Sequence, residues 1–366
     1  MRGARAFKNS LPSLQAGLFI FYRCAWVPVP FFRTSDYNED VGPLISLIIP
    51  NRNGAGTIGQ CLESISLNAE GQVEVIVVDD CSTDRSVEII ERFPVRLIKL
   101  ERHVGASHAR NIGAGNSNGA VLFFIDADCL LQKDTLSNVR RAMEKHGAGA
   151  VLGGTYARES QDPGFFNFFQ SIFVNYFETK RAEDPDYIAA HAFLVAPEVF
   201  RKSGGFPEDF LPILEDVEFS HRLRRAGYRL IMEPAIQVKH IFNFTLGRSL
   251  RNAVRKTRYW VRYSLANRDL FADSGTASRE LKMNVASCFL CLILLCIWLV
   301  TSEARFLYPL LMIVGLNGVA NRGLIRAFVE TKGALFAVLA YAYYTTLYAL
   351  AVGAGALLGI MEYIFR

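Results

Sequence analysis

Several familiar signatures are missing from this chain of 366 residues, and each absence closes off a function class. There is no G-x-x-x-x-G-K-[ST] loop, which excludes a P-loop phosphate cradle. No zinc-type framework or aromatic-basic RNA-binding motif accompanies the net charge of +5, so nucleic acid is not an expected partner. The seven cysteines are odd in number and lack disulfide-like spacing. Cys61, Cys81 and Cys129 fall beside apolar segments and read as small core residues of a reducing compartment. The pair Cys288 and Cys291 has no partner ligands nearby, and with Cys296 it reads as small membrane-packing side chains. No convincing cleavage site follows the apolar stretch 14–32, which Arg23, Pro28 and Pro30 interrupt. That stretch reads as an interfacial segment, or a hairpin lying against a membrane.

What is present begins with strands alternating with helices. Leu44 to Ile49 reads as a buried strand, followed by a turn cluster from Pro50 to Gly56. Thr57 and Gln60 then fit a capping box at the start of a helix. Val73 to Val78 is a second strand ending in Asp79-Asp80, with Cys81-Ser82-Thr83-Asp84 as turn and helix cap. Val95 to Leu100 is a third strand, and a helix spans Ala106 to Gly115. The fourth strand, from Val121, is apolar on both faces and runs into Asp126-Ala127-Asp128-Cys129. A helix near Lys133 to His146 stops at Gly147. Such alternation implies a doubly wound sheet.

Beyond Ala150 the pattern changes. Val151 to Thr155 and Phe193 to Val195 read as strands. Phe165 to Tyr176 is dense in aromatics, as a core helix or as a greasy rim for a lipid-linked substrate. Glu215-Asp216 opens a helix that Gly227 ends. Tyr228 to Ile231 and Ile236 to His240 read as two short strands.

Hydrophobic residues make up 51% of the chain but crowd into its last part. Residues 245–282 are helical and cationic, with Tyr259, Trp260 and Tyr263 among arginines, and fit an anionic membrane surface. Three apolar runs follow: Val285 to Val300, Phe306 to Ala320 and Ala334 to Ile360. Three spans are expected, or two if the middle run is re-entrant. Arg322, Arg326 and Lys332 place the loop between the last two runs in the cytoplasm, with the soluble domain. The C-terminal end of the third run then falls outside.

Asp126 and Asp128 form the chemical centre of the sequence. Two carboxylates this close repel unless a cation lies between them, and oxygen ligands favour Mg²⁺ or Mn²⁺. Strand ends in an open α/β sheet are where ligands collect. A carboxylate at Asp79-Asp80 can accept from a base N–H, and Arg110 can reach a diphosphate as a fixed cation.

Five segments in order then carry a resemblance: Ser46-Leu47-Ile48-Ile49-Pro50-Asn51-Arg52-Asn53, Val75 to Asp84, Ala109-Arg110-Asn111-Ile112-Gly113, Phe124 to Asp128, and Glu215-Asp216-Val217-Glu218-Phe219. Together they resemble the family 2 glycosyltransferases across about residues 44–240. The resemblance implies a GT-A fold, an α/β nucleotide-sugar-binding domain with a doubly wound mixed sheet. It also implies a nucleotide-diphosphate sugar donor, Mg²⁺ or Mn²⁺, and inversion at the anomeric carbon. By the same resemblance Asp80, with Asp79 beside it, binds the base, and Pro50 and Asn53 border the nucleoside. Asp126, Ala127 and Asp128 form the D-x-D motif that meets ribose and metal. His240 is a further metal ligand or a structural histidine, and Asp216 is the general base. A helix start at Asp216 should lower its pKa. Cys81 stands where the family usually has glycine or asparagine.

The expected organisation is an interfacial segment at 1–40, the transferase at 41–244, basic interfacial helices at 245–284 and a membrane region at 285–366. The expected protein is a multi-pass enzyme of the cell inner membrane with its catalytic domain cytoplasmic. It glycosylates a lipid-linked or membrane-proximal acceptor among membrane lipids. Arg255-Lys256-Thr257-Arg258-Tyr259-Trp260 resembles the Q-x-x-R-W box of processive synthases imperfectly, which favours single transfer. A processive synthase subunit and a non-catalytic scaffold are the alternatives.

Overall fold

The computed structural model describes residues 44–69, 71–209 and 211–365. The expected interfacial segment 1–40 lies outside them. The sheet starts with β1 (Ile45–Asn51). Its residues Ile45, Leu47 and Ile49 enter one apolar cluster and Ile48 enters another. Successive side chains on a strand point to opposite faces, so β1 is covered on both sides.

The first half alternates as expected. It comprises α1 (Ile58–Asn68), β2 (Val73–Asp79), α2 (Ser86–Ile90), β3 (Arg96–Lys99), α3 (Ala106–Gly115) and β4 (Val121–Phe124). Strands β1 to β4 pair in parallel with one another. α3 lies directly on the sheet because Gly113 has no side chain; a Cβ there would collide with Ile48. The second half comprises β5 (Cys129–Leu131), α4 (Thr135–His146), β6 (Val151–Tyr156), α5 (Phe165–Thr179), β7 (Phe193–Val195), α6 (Pro197–Lys202), α7 (Glu215–Arg225) and β8 (Leu230–His240). The strand order is β3-β2-β1-β4-β7-β6-β8-β5. β7 runs antiparallel to both β4 and β6, and β5 antiparallel to β8, so the sheet is mixed.

Three local expectations are corrected. The two short strands expected at 228–240 are one strand, β8, whose pairing with β6 shifts register between Gly153 and Thr155. The capping box does not form: Thr57 Oγ1 donates to Gly54 O, and Gln60 Nε2 to Gly56 O, because the loop folds back on itself. The fourth strand ends at Phe124, and Cys129 opens a separate strand.

The remaining helices are α8 (Leu246–Asn267), α9 (Arg279–Thr301), α10 (Leu307–Ala320), α11 (Arg322–Tyr343) and α12 (Ala349–Ile364). Gly333, at φ +83, breaks α11, and a π-helical turn at Tyr344–Tyr348 joins α11 to α12. Two stretches, Arg279–Thr301 and Arg322–Ile364, are long and apolar enough to cross a membrane. The middle run is shorter. The aromatic helix α5 proves to be core. Phe169 stacks on Phe328 at 5.7 Å and meets Tyr343 edge-on at 4.9 Å, joining the sheet to the C-terminal helices.

Candidate functional site

Strand pairing assembles the acid site. After β4 the chain turns through Asp126, Ala127 and Asp128, closed by Cys129 N–H to Asp126 O at 3.0 Å. β5 then pairs antiparallel with β8, placing Cys129 opposite His240. Ile241 N–H donates to Asp128 O at 2.9 Å. Two residues distant in sequence thereby meet: His240 Nε2 lies 3.4 Å from Asp128 Oδ1. Ligand atoms of Asp128, Cys129 and His240 all fall within 4.8 Å of one another.

The electrostatics of this group suit a divalent cation. Burial and the neighbouring Asp126 push Asp128 up to about 7, although 39% of its side chain is still reachable from outside. Burial lowers His240 to about 3, so its imidazole is neutral and able to ligate. Its Nδ1 is buried with no partner among the described residues. Burial and the two carboxylates hold the Cys129 thiol protonated, which makes it a poor ligand for a hard ion. Asp126 faces differently. Burial would raise its pKa, but Arg110 outweighs that and holds it below the ordinary value.

Arg110, expected to reach a diphosphate, is engaged by two acids. Its Nη2 donates to Asp126 Oδ1 and its Nη1 to Glu215 Oε1, each at 2.7 Å. The guanidinium is buried and packs over the Phe206 ring at 5.5 Å. Glu215 precedes Asp216 at the start of α7, where Leu214 adopts a left-handed φ of +78. Asp216 Oδ2 accepts from Ala190 N–H at 3.0 Å, and its Oδ1 accepts from Val217 N–H at 2.9 Å. The expected lowering of Asp216 does not occur. Burial and repulsion by Glu215 raise it to about 6, outweighing those amides.

The nucleoside-side residues form a polar lattice at the ends of β1 and β2. Pro50 lies in β1, facing Val78 of β2. Asp79 accepts from Asn51 Nδ2 and from Ser82 N–H and Oγ. Asn53, at φ +50, receives the Thr83 N–H at 2.8 Å. Asp80 accepts from Val104 N–H at 2.7 Å and Gly105 N–H at 2.9 Å, with His103 Nδ1 2.7 Å away. Ala127 packs against the edge of the main core.

Some features were not read from the sequence. Residues 54–59 have G-x-G-x-x-G spacing, but the Ala55 N–H is taken by Asp84 Oδ2 and those of Thr57 and Ile58 by Gly54 O. These amides therefore form no pyrophosphate cradle. His191 and Tyr156 also escaped notice. Their rings stack at 3.9 Å, Tyr156 meets His240 edge-on at 4.9 Å, and His191 Nε2 lies 3.4 Å from the buried Glu178. Only the β6–β7–β8 topology brings them to the acid turn. A separate crevice lined by Phe177, Glu178, Lys180, Tyr187 and Asp273 contains none of Asp80, Asp126, Asp128 and Asp216.

A model of glycosyl transferase family 2 matches residues 46–195, and one of glycosyl transferase family group 2 matches residues 121–358, more than half of the chain. An uncharacterized glycosyltransferase of Haemophilus influenzae is 31% identical over 182 residues, 49% of this chain and 62% of that protein. The succinoglycan biosynthesis protein ExoO of Rhizobium meliloti is 36% identical over 117 residues, 31% of this chain and 33% of that one. The chain thus spans less than two thirds of these relatives' length. A solved structure of the mannosyltransferase PcManGT from Pyrobaculum calidifontis, in complex with GDP-Man and Mn²⁺, has the same fold. It matches with a TM-score of 0.55, at 18% identity, covering 88% of each chain.

Proposed function

The chain belongs to glycosyltransferase family 2, and we propose that it moves a sugar from a nucleoside-diphosphate sugar to a hydroxyl of a membrane-proximal or lipid-linked acceptor, with inversion. The observation that carries this reading is the Arg110 bridge, which ties the Asp126 turn to the helix start bearing Asp216. Donor-side and acceptor-side acids thereby share one rigid frame. The Pyrobaculum mannosyltransferase, described with GDP-Man and Mn²⁺, supports a nucleotide-sugar donor.

In this reading Asp128 and His240, with Asp126 beside them, hold Mg²⁺ or Mn²⁺. When bound, that ion stabilises the negative charge of the departing diphosphate. Arg110 keeps Asp126 ionised and oriented. Asp216, held by two backbone amides, takes the proton of the acceptor hydroxyl on the face opposite the leaving group. Its raised pKa makes it a stronger base than an ordinary aspartate. Asp80 fixes the loop that leads into α3, and Pro50, Asn53 and Asp79 shape the nucleoside side of the cleft. The basic helix α8 and the apolar C-terminal helices hold the enzyme at the inner membrane, with the transferase domain on the cytoplasmic face.

The test is turnover of a panel of UDP- and GDP-sugars by the full chain in detergent, with and without Mn²⁺. Donor turnover that is lost in Asp128→Asn is expected. No turnover of any donor, together with an Asp128→Asn strain that behaves as wild type, would leave only a scaffold role. Product length of one sugar or many separates single transfer from processive synthesis.

A further inference from the structure

Resting on the membrane-associated reading above, we infer that only the α9–α10 hairpin enters the bilayer. α12 instead lies on the surface of the same leaflet, beside α8, and the chain after α12 stays on the transferase side.

The argument starts from α8. This helix exposes Arg248, Arg251, Arg255 and Lys256, and such a charged face cannot sit in hydrocarbon. It fits anionic headgroups instead. Its other face is fastened to the transferase. Tyr263 Oη lies 2.7 Å from His221 Nδ1, and Trp260 packs on Tyr187 at 5.6 Å. α8 is therefore a surface helix fixed to the catalytic body.

α12 follows α8 step for step, in the same direction. Just before α12, Tyr343 Oη donates to Ser249 Oγ at 2.9 Å. Gly355 lies against Val254 and Thr257, and Gly359 against Arg258 and Val261. A Cβ at either glycine would come within 2.5 Å of the Val254 or Arg258 carbonyl oxygen, so the two backbones touch. At the far end Glu362 forms ion pairs with both Arg258 and Arg262. The stretch 343–362 rises roughly 30 Å, about the thickness of a hydrocarbon core. Yet it spends that length bound along a helix that cannot enter one. The outer face of α12 presents Leu357, Leu358, Met361 and Ile364, an apolar stripe suited to lying in a leaflet.

α9 behaves differently. It touches this layer through its beginning: Asn284 Nδ2 donates to Tyr344 O at 2.8 Å, and Gly353 faces Val285 and Phe289. Only 6% of its apolar window is buried, and Leu290, Ile293, Leu299 and Val300 face outward. α10 returns to the same base, where Asn317 Nδ2 donates to Asn284 Oδ1 at 2.9 Å. With 14 residues, about 21 Å, α10 is too short for an ordinary span. A hairpin closed at its base by a pair of asparagines goes in and comes back. This replaces the third span expected from the sequence and puts the end of α12 on the opposite side from that expectation.

Right-side-out and inverted membrane vesicles carrying the full chain would be treated with a membrane-impermeant maleimide. Arg102→Cys marks the transferase domain and Phe365→Cys, 83% exposed in the native side chain, marks the end of α12. Peptide mass spectrometry identifies the modified position despite the native cysteines. Both marks are expected to react in the same vesicle orientation. Reaction in opposite orientations would overturn the inference while leaving the membrane reading intact. Recovery of the chain in the soluble fraction, with both marks reactive there, would overturn both. Neither outcome depends on knowing the sugar donor.

Discussion

Arg110 and Glu215 meet at 2.7 Å across the cleft, 105 residues apart in sequence. The same guanidinium holds Asp126 on its other side. Both acids are partly enclosed, and the arginine is buried. The site is therefore a frame in which one cation bridges two carboxylates and keeps Asp126 charged.

Removing that cation should be costly. Arg110→Met leaves Asp126 and Glu215 without their counter-charge, and breaking a buried pair in this way costs on the order of 3 kcal/mol. Thermal unfolding in detergent should shift down accordingly, with transfer activity lost. Arg110→Lys retains the charge but cannot bridge both acids, so it should recover more stability than activity. Equal recovery of both would argue against a bridging role.

Asp216 should set the acid limb of the rate profile. Burial and Glu215 place it near 6, and the base is active only when ionised. kcat should fall about tenfold per pH unit below about 6 and level off above it. A profile flat down to about pH 4.5, near an ordinary carboxylate, would remove Asp216 from that role. Asp216→Asn should lower kcat by roughly 10²–10⁴ with little change in donor affinity.

Metal binding can be followed without turnover. Mn²⁺ titration by electron paramagnetic resonance should show one bound ion per chain, lost in Asp128→Asn. It should be weakened in His240→Ala, since those two side chains meet at the β5–β8 pairing. Unchanged binding in both variants would place the ion elsewhere.

Cys81 offers a stability test that needs no turnover. Its φ is +57, a left-handed conformation that costs a side chain such as cysteine about 1 kcal/mol. Cys81→Asn, a residue that tolerates this region, should raise the unfolding temperature by about 1 °C in a protein of 366 residues. An unchanged or lower temperature would mean that the Cys81 contact with Glu101 O matters more than the backbone.

Much of this arrangement was legible because apolar runs and acids occur in a fixed order. The four parallel strands, the helix at 106–115 and the Gly227 stop follow from periodicity and turn chemistry, and the structure has them. Motif reading likewise singled out Asp126, Asp128, Asp216 and His240. What could not be read were distances across the sheet. Nothing in Ala189-Ala190-His191-Ala192 signals that this histidine stacks on Tyr156, because an antiparallel strand inserted between β4 and β6 creates that contact. Arg110 looked available to an anion because its two partners are distant in sequence. Asp216 looked depressed because a helix start is local and visible, whereas burial is not. The third apolar run reads as a span by hydropathy, which does not record that a charged helix covers one of its faces.

The π-helical turn at Tyr344–Tyr348 sets which side of α12 meets α8. A turn of this kind contains one residue more than an α-helical turn, and one residue is worth about 100° of rotation. Rewinding that turn as regular α-helix with every residue kept would swing Gly355 and Gly359 about 100° away from the Val254 and Arg258 carbonyls, whereas deleting one residue there would leave them facing α8. That turn thus acts as a phase marker: it fixes the angular register in which an otherwise uniform apolar helix recognises its polar partner.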